Sequence, residues 1–443
     1  MSSRIQKLLC TERNIDLGYT NSTKESIYNL FKLINISCIT IYFLWYITPI
    51  FRAHFYGGYS NLVIFMLLVI WFTTAIILNP KWFLQFNPHM VIVSIQLVVF
   101  MIMVSLNPSS NALSYMKLGV SFWFTLYVFH FYISLGWKKV IAKISVVLFI
   151  SFSITILTTI IGLYSVPNAA RILTSSSSSI NESTLLTSKN IGGFDLVYGL
   201  IILIPSLISI ILFKNEISNI WKLFLFIFII SSILLVVNAS FTIAVILLIL
   251  SVFLGIFSKL KPKTMVMLLL LIFFISIIIP KDPISTGFKQ VSQFTNNTYI
   301  SERFEDMGNF VIGNNNSIQH LDNRTSKYSM SFNTFVENPI TGIGSYYYVD
   351  GVGIGYHSQI LDDLARYGVF GLLFYILFFY TFYMFVKKIW NQSNLKANFF
   401  VSLFTFLFIS LLNPTFSSQS ISVILFFLLP ALPITLNYVR KNI

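Results

Sequence analysis

The sequence predicts an all-α polytopic membrane protein of about twelve transmembrane helices, with one large extracytoplasmic loop between spans nine and ten. Three observations carry that prediction. Of 443 residues, 56% are hydrophobic and only 10% are charged. An ordinary soluble domain carries roughly 25% charged residues, so this chain cannot cover a water-soluble body of its size. Apolar runs long enough to cross a bilayer core, about 20 residues each, recur along the chain. Basic residues gather between alternate runs, the pattern that orients a membrane protein. The same composition excludes a disordered chain, a coiled coil, a collagen and a secreted disulfide scaffold. Cys10 and Cys38 are too few and too badly placed for a disulfide framework or a metal site.

Taken in order, residues 1–28 are polar and mixed in charge and read as a cytoplasmic segment without a cleavable signal peptide. Apolar runs then begin near Asn29, Ser60, Pro88, Lys117, Val140 and Gly193, and near Trp221, Thr264, Tyr367, Leu395 and Ser418. The run Trp221–Phe257 is too long for one span and short for two. Its polar interruption, Asn238-Ala239-Ser240, divides it into a tight hairpin. Spans one to nine then occupy residues 29–280, the large loop 281–358, spans ten to twelve 359–437, and a cytoplasmic tail 438–443.

The distribution of cations tests this division. Lys138-Lys139, the stretch Lys214 to Lys222, Lys259 to Lys263, Lys387 to Lys396, and Arg440-Lys441 all fall on the cytoplasmic side with both termini inside. The short outer loops hold little beyond Arg52 and Lys117. An undivided run would move the Lys259 to Lys263 cluster outside. The net charge of +14 therefore reads as orientation in a membrane and not as nucleic-acid binding.

Two long loops lie on the outer side. The stretch Ser165 to Asn190, with Ser175 to Ser179 inside it, reads as flexible and solvated. The loop 281–358 carries Phe294, Phe304, Phe310, Tyr328, Phe332 and Phe335 among polar residues. Amphipathic helices on the membrane surface are expected there, with Glu302–Met307 and Thr325–Glu337 the best candidates. The spans are chemically quiet. Asp195 opens the sixth at a favourable helix N-terminus. His130 reads as interfacial or bonded to a backbone group. No ladder of buried carboxylates serves a proton-coupled transporter, and Pro205, Pro430 and Pro433 are the sole hint of broken helices.

The dense signal runs from Arg324 to Gly371. Asn338-Pro339-Ile340-Thr341-Gly342-Ile343-Gly344 is followed by Tyr346-Tyr347-Tyr348, then Gly351, Gly353 and Gly355, then His357. Gly368 and Gly371 stand at the start of an apolar run. A helical glycine costs about 1 kcal/mol against alanine, so two in one turn imply close packing. Asp362 and Arg366, at i and i+4, read as a helix-surface ion pair. Arg324 has Asp322 and Glu337 as alternative loop partners. Asp363 stands beside His357, where it is placed to orient the ring.

At these residues the sequence resembles the bacterial O-antigen ligase and polysaccharide polymerase (Wzy-type) family. That family carries an Asn-Pro-x-x-Gly-x-Gly turn late in a large extracytoplasmic loop, then a His, ten residues, and Gly-x-x-Gly. Here these are Asn338-Pro339, Gly342, Gly344, His357, Gly368 and Gly371. Arg324 precedes the Asn-Pro at the family's spacing, Tyr328 supplies the aromatic, and Arg303 fits a frequent second arginine. The sequence departs from the pattern at Ser240-Phe241, where relatives have Ser-Arg, and at Ser358, where Asn is common.

The resemblance implies a fold like the glycosyltransferase C superfamily and transfer of a glycan from undecaprenyl pyrophosphate to a sugar hydroxyl. Arg324 and Arg303 would hold the donor pyrophosphate, since a guanidinium is a permanent bidentate cation. His357 would be the general base. Tyr328, Tyr356 and Asp363 complete the expected substrate contacts, with Tyr346 to Tyr348 as stacking surfaces. No carboxylate cluster or His/Cys spacing calls for a metal, so the transfer is expected to need none, nor a cofactor. Expected partners are the lipid-linked oligosaccharide, membrane lipid, a chain-length regulator and a flippase, with no nucleic acid. The implied place is the bacterial cytoplasmic (inner) membrane, with the active site on the extracytoplasmic face. A polymerase of repeat units for O-antigen, capsule or another envelope polysaccharide is the leading reading. A ligase of the same family and a lipid-linked oligosaccharide flippase are the alternatives. A flippase would not need an outer loop of about 75 residues and should show an internal repeat, which is not visible.

Overall fold

The computed structural model describes residues 21–442 apart from 55–57, 107–109, 174–179, 214–216, 240, 261–263, 265–266, 269–270, 272–279, 295–297, 313–318, 345–352 and 392–398. The described residues form helices and no strand. In chain order these are α1 (Asn21–Ile47), α2 (Pro49–Ala53), α3 (Gly58–Leu78), α4 (Pro88–Leu106), α5 (Ser110–Ser134) and α6 (Lys138–Ser165). There follow α7 (Ala169–Ile172), α8 (Ile180–Ser188), α9 (Phe194–Phe213), α10 (Asn219–Asn238) and α11 (Thr242–Ile256). The loop segment supplies α12 (Lys281–Gln293), α13 (Thr298–Val311) and α14 (Gln319–Glu337). The chain closes with α15 (Gln359–Tyr367), α16 (Val369–Asn391), α17 (Phe400–Leu412), α18 (Gln419–Val423) and α19 (Leu429–Asn442).

This is an all-α polytopic membrane protein. Among the described residues, six helical stretches are long and apolar enough to cross a bilayer: Glu25–Ile47, Lys138–Ser165, Phe194–Leu212, Asn219–Asn238, Val369–Asn391 and Gln419–Arg440. Leu62–Leu78, Pro88–Met103, Ile243–Ile256 and Phe400–Leu412 are shorter apolar helices. The long run Trp221–Phe257 does divide, with α10 ending at Asn238 and α11 starting at Thr242. The run beginning near Thr264 lies mostly outside the described residues.

Two stretches form the centre. Gln419–Arg440 is 94% buried and Phe194–Leu212 78%. Around them, Phe65, Ile154, Ile161, Leu223 and Phe370 expose large apolar surface, which lipid accepts as water would not. Small polar residues tie the helices where the hydrophobic effect gives no force between them. Asn35 of α1 donates to Thr74 of α3 (2.8 Å) and accepts from Tyr132 of α5 (2.9 Å). Ser206 of α9 meets Ser402 of α17 at 2.7 Å. Trp123 packs edge-on against Phe378 and Phe416, at 4.8 and 5.1 Å between centroids. The prolines act locally. Pro205 lies inside α9, where Gly255 lets α11 approach its backbone. A π turn, Ile424–Leu428, runs up to Pro430, which has no N–H to donate to the turn before it.

Three expectations change. His130 is bonded to the His89 ring of α4, not to a backbone group, and stacks on Phe385. The stretch Ser165 to Asn190 is not solvated throughout. Ser175 to Ser179 lie outside the described residues, but α8 follows them and is docked. The Asn190 Oδ1 accepts from Ile50 N (3.2 Å), and Leu186 and Ile191 are buried. In the large loop both expected helices exist, inside α13 and α14. The helix α12, packed on α13, was not foreseen.

Candidate functional site

The site is built around α15, a nine-residue helix in the interior. Ser358 caps its N-terminus by accepting from Leu361 N (3.1 Å). The helix buries Asp362, Asp363 and Arg366 together. Such groups are buried only when paired and hydrogen-bonded. Arg366 Nη1 donates to Asp363 Oδ1 at 2.8 Å. The other Asp363 oxygen accepts from Gln359 Nε2 (2.9 Å) and Tyr375 Oη (2.8 Å). Asp362 accepts from Ser331 Oγ (2.6 Å) and from Ser358 N (3.3 Å). Burial pushes the Asp362 carboxyl up to about 6, against the pull of Ser331 and Arg366. Burial raises Asp363 as well, opposed chiefly by Arg366.

The Asn338 to Gly344 turn clasps the other end of this helix. The last carbonyls of a helix have no partner within it. Here Ile343 N donates to Ala365 O (3.0 Å) and Gly344 N to Arg366 O (2.9 Å). Val369 N donates back to Pro339 O (2.8 Å). Gly342 (φ +65°) and Gly368 (φ +59°) adopt left-handed conformations, and a Cβ on either would overlap backbone atoms of the facing segment. Gly371 sits against the Asp363 carbonyl. The glycine motif is thus a backbone fastening.

The long helix α14 supplies the other wall. Its residues Arg324, Tyr328 and Ser331 follow at helical spacing, so they share a face. Arg324 Nη1 reaches Asn413 Oδ1 (3.4 Å), and Tyr328 Oη donates to Leu412 O (2.8 Å). The Gly353–Gly355 strand of chain lies across this helix. Gly355 N donates to Ser331 Oγ (2.8 Å), and Thr334 Oγ1 donates to Gly353 O (2.8 Å). A Cβ at Gly355 would strike the Lys327 carbonyl, so glycine is required. Tyr356 then turns at φ +59°, a strained value for a side-chain-bearing residue.

That turn aims His357. Its Nδ1 lies 2.9 Å from the Tyr356 carbonyl, so it carries the proton and leaves Nε2 as an acceptor. Burial lowers the imidazole pKa. The cations Arg324 and Lys327 push it further down, against the Tyr356 bond. Tyr328 is raised by burial, with Arg324 pulling it back. Among the described residues the arrangement is a neutral imidazole whose Nε2 lone pair has no partner, beside a guanidinium held by Asn413.

Of the residues singled out from sequence, Arg324, Tyr328, Tyr356 and His357 therefore come together. Asp363 does not join them as an orienter, since both its oxygens serve Arg366, Gln359 and Tyr375. The expected surface pair Asp362–Arg366 is also wrong. Arg366 pairs with Asp363 in the interior, because Asp362 faces α14. Arg324 reaches Asn413 and not Glu337. The side chains of Arg303 and Asp322, and all of Tyr346 to Tyr348 and Gly351, lie outside the described residues. Sequence reasoning missed Ser331, Gln359, Tyr375 and Asn413, whose neutral amides and hydroxyls carry no motif.

Residues 223–376 match the family model described as O-antigen ligase. That part of the chain is similar to the O-antigen ligase family. No curated protein matches the chain. The matched segment begins in α10 and ends in α16, so it holds Arg324, the clasp, His357 and all of α15. The match points to a membrane enzyme of the O-antigen ligase and polymerase type. Asn413 lies beyond it.

Proposed function

We propose that the protein polymerises oligosaccharide repeat units carried on undecaprenyl pyrophosphate, at the outer face of a bacterial cytoplasmic membrane. The observation that carries this is the joint placement of Arg324 and His357, with the basic nitrogen of His357 left free. The acceptor hydroxyl gives its proton to His357 Nε2 as its oxygen attacks the anomeric carbon of the donor. The bond between that carbon and the phosphate oxygen breaks, and pyrophosphate leaves on its lipid. Arg324, held by Asn413, meets the negative charge that develops on the leaving oxygen. Arg303 is proposed as a second contact, and Tyr328 and Tyr356 as sugar-facing surfaces.

With expression matched, Arg324→Ala and His357→Ala should each abolish long-chain polysaccharide and leave single repeat units on the carrier at the outer leaflet. Unchanged chain length in both variants would sink the reading. The family description favours a second one, a ligase moving finished glycan to another acceptor. A ligase defect would instead accumulate long polymer on the carrier.

A further inference from the structure

Beside the site lies a second feature that the transfer chemistry leaves unused. A groove of about 1390 Å³ runs between α1, α3, α4 and α5. That exceeds an ordinary small-molecule pocket of roughly 300–1,000 Å³. Its walls are Phe65, Leu68, Phe72, Leu84, Phe86 and Val98, with Arg52 as its single charged residue among the described ones. Among the described residues, the Nε of Arg52 is buried and finds no hydrogen-bond partner. Tyr46, Ser121 and Gln419 also line the groove.

The geometry fits a long lipid with an anionic head. Arg52 and Phe86 stand beyond opposite ends of α3, whose 21 residues rise about 30 Å, the depth of a bilayer core. A phospholipid tail covers about half that depth, because each leaflet holds one half of the core. A groove of full depth suits a longer chain. The groove also adjoins the site. Leu97 borders both this groove and the small cavity lined by Tyr356, Asp362 and Arg366. The first turn of α9 separates the two arginines. Asp195 is in electrostatic reach of Arg52, and Tyr198, one turn on, of Arg324. Asp195 weakens the long-range field of Arg52, so recognition there rests on N–H groups in contact with the ligand.

We propose that this groove seats the polyprenyl tail of the lipid-linked substrate, with Arg52 holding its pyrophosphate at the mouth of the site. The assignment rests on the transfer reading for its ligand, but its test reads binding and not turnover. The probe is undecaprenyl pyrophosphate, titrated onto the full chain in phosphatidylcholine nanodiscs. Arg52→Ala should weaken binding at least tenfold, with Arg52→Lys between it and the unsubstituted protein. Val98→Trp, which fills the groove from a lipid-facing position, should weaken binding similarly. Binding within twofold of the unsubstituted protein in Arg52→Ala or in Val98→Trp overturns the proposal. So does displacement of the probe by phosphatidylglycerol at equal concentration, which marks an annular lipid site. Unchanged chain length in Arg324→Ala and His357→Ala would remove the transfer reading while leaving this binding result in place.

Discussion

His357 shows how one side chain acquires a function from its neighbours. Its pKa is lowered by burial and by the cations Arg324 and Lys327. A base is useful only when unprotonated, so a lowered pKa extends activity toward acid. Lys327→Ala removes one repelling cation and raises the pKa. The acid limb of the pH–rate profile should then move to higher pH, measured with lipid-linked repeat units as substrate. An unmoved limb would mean that another group sets it. His357 and Arg324 were legible because spacing along a chain is a sequence property. The role of Asp363 was not. Adjacent helical residues point about 100° apart, so Asp362 and Asp363 serve different walls, and nothing local says which. The contacts that decide it come from Ser331 and Tyr375, on separate helices.

At the scale of elements, α15 is a short helix fastened at both ends. Its interior pair is costly to break, since removing one partner leaves a buried charge. Arg366→Met should destabilise by about 3–5 kcal/mol. The double variant Arg366→Met/Asp363→Asn should recover part of that, because no unpaired cation or carboxylate remains. Denaturant unfolding in detergent reads both, and equal losses in single and double variants would show that the pair is not the cause. The clasp makes its own prediction. Gly368→Ala forces a side chain into a left-handed backbone against the Ile340 carbonyl, and should cost at least about 1–3 kcal/mol. Gly119→Ala, with open space around it, should be near neutral by the same measurement. The turn was recognisable as a motif in the sequence. That it binds the end of a helix some twenty residues later was not, because its ligands are carbonyls that every residue carries.

The whole molecule was legible in outline because lipid imposes a simple rule on composition and run length. The long helices therefore stand where the apolar runs lie, and the hairpin divides at Asn238. The groove was not legible, since residues from separate helices far apart in the chain form it and most look like ordinary lipid-facing surface alone. The docking of α8 escaped for a related reason. Composition averaged the serine tract with residues whose contacts, such as that of Asn190 with Ile50, are made across the fold. The clasp offers a use at this scale, because its bonds to α15 are made by main-chain atoms while the Ile340 side chain points to the outside. Ile340 is 69% exposed. A spin label or fluorophore on Ile340→Cys, with Cys10 and Cys38 replaced, would sit on the fastening without occupying any group the site employs. It would report whether the loop lets go of α15 during turnover.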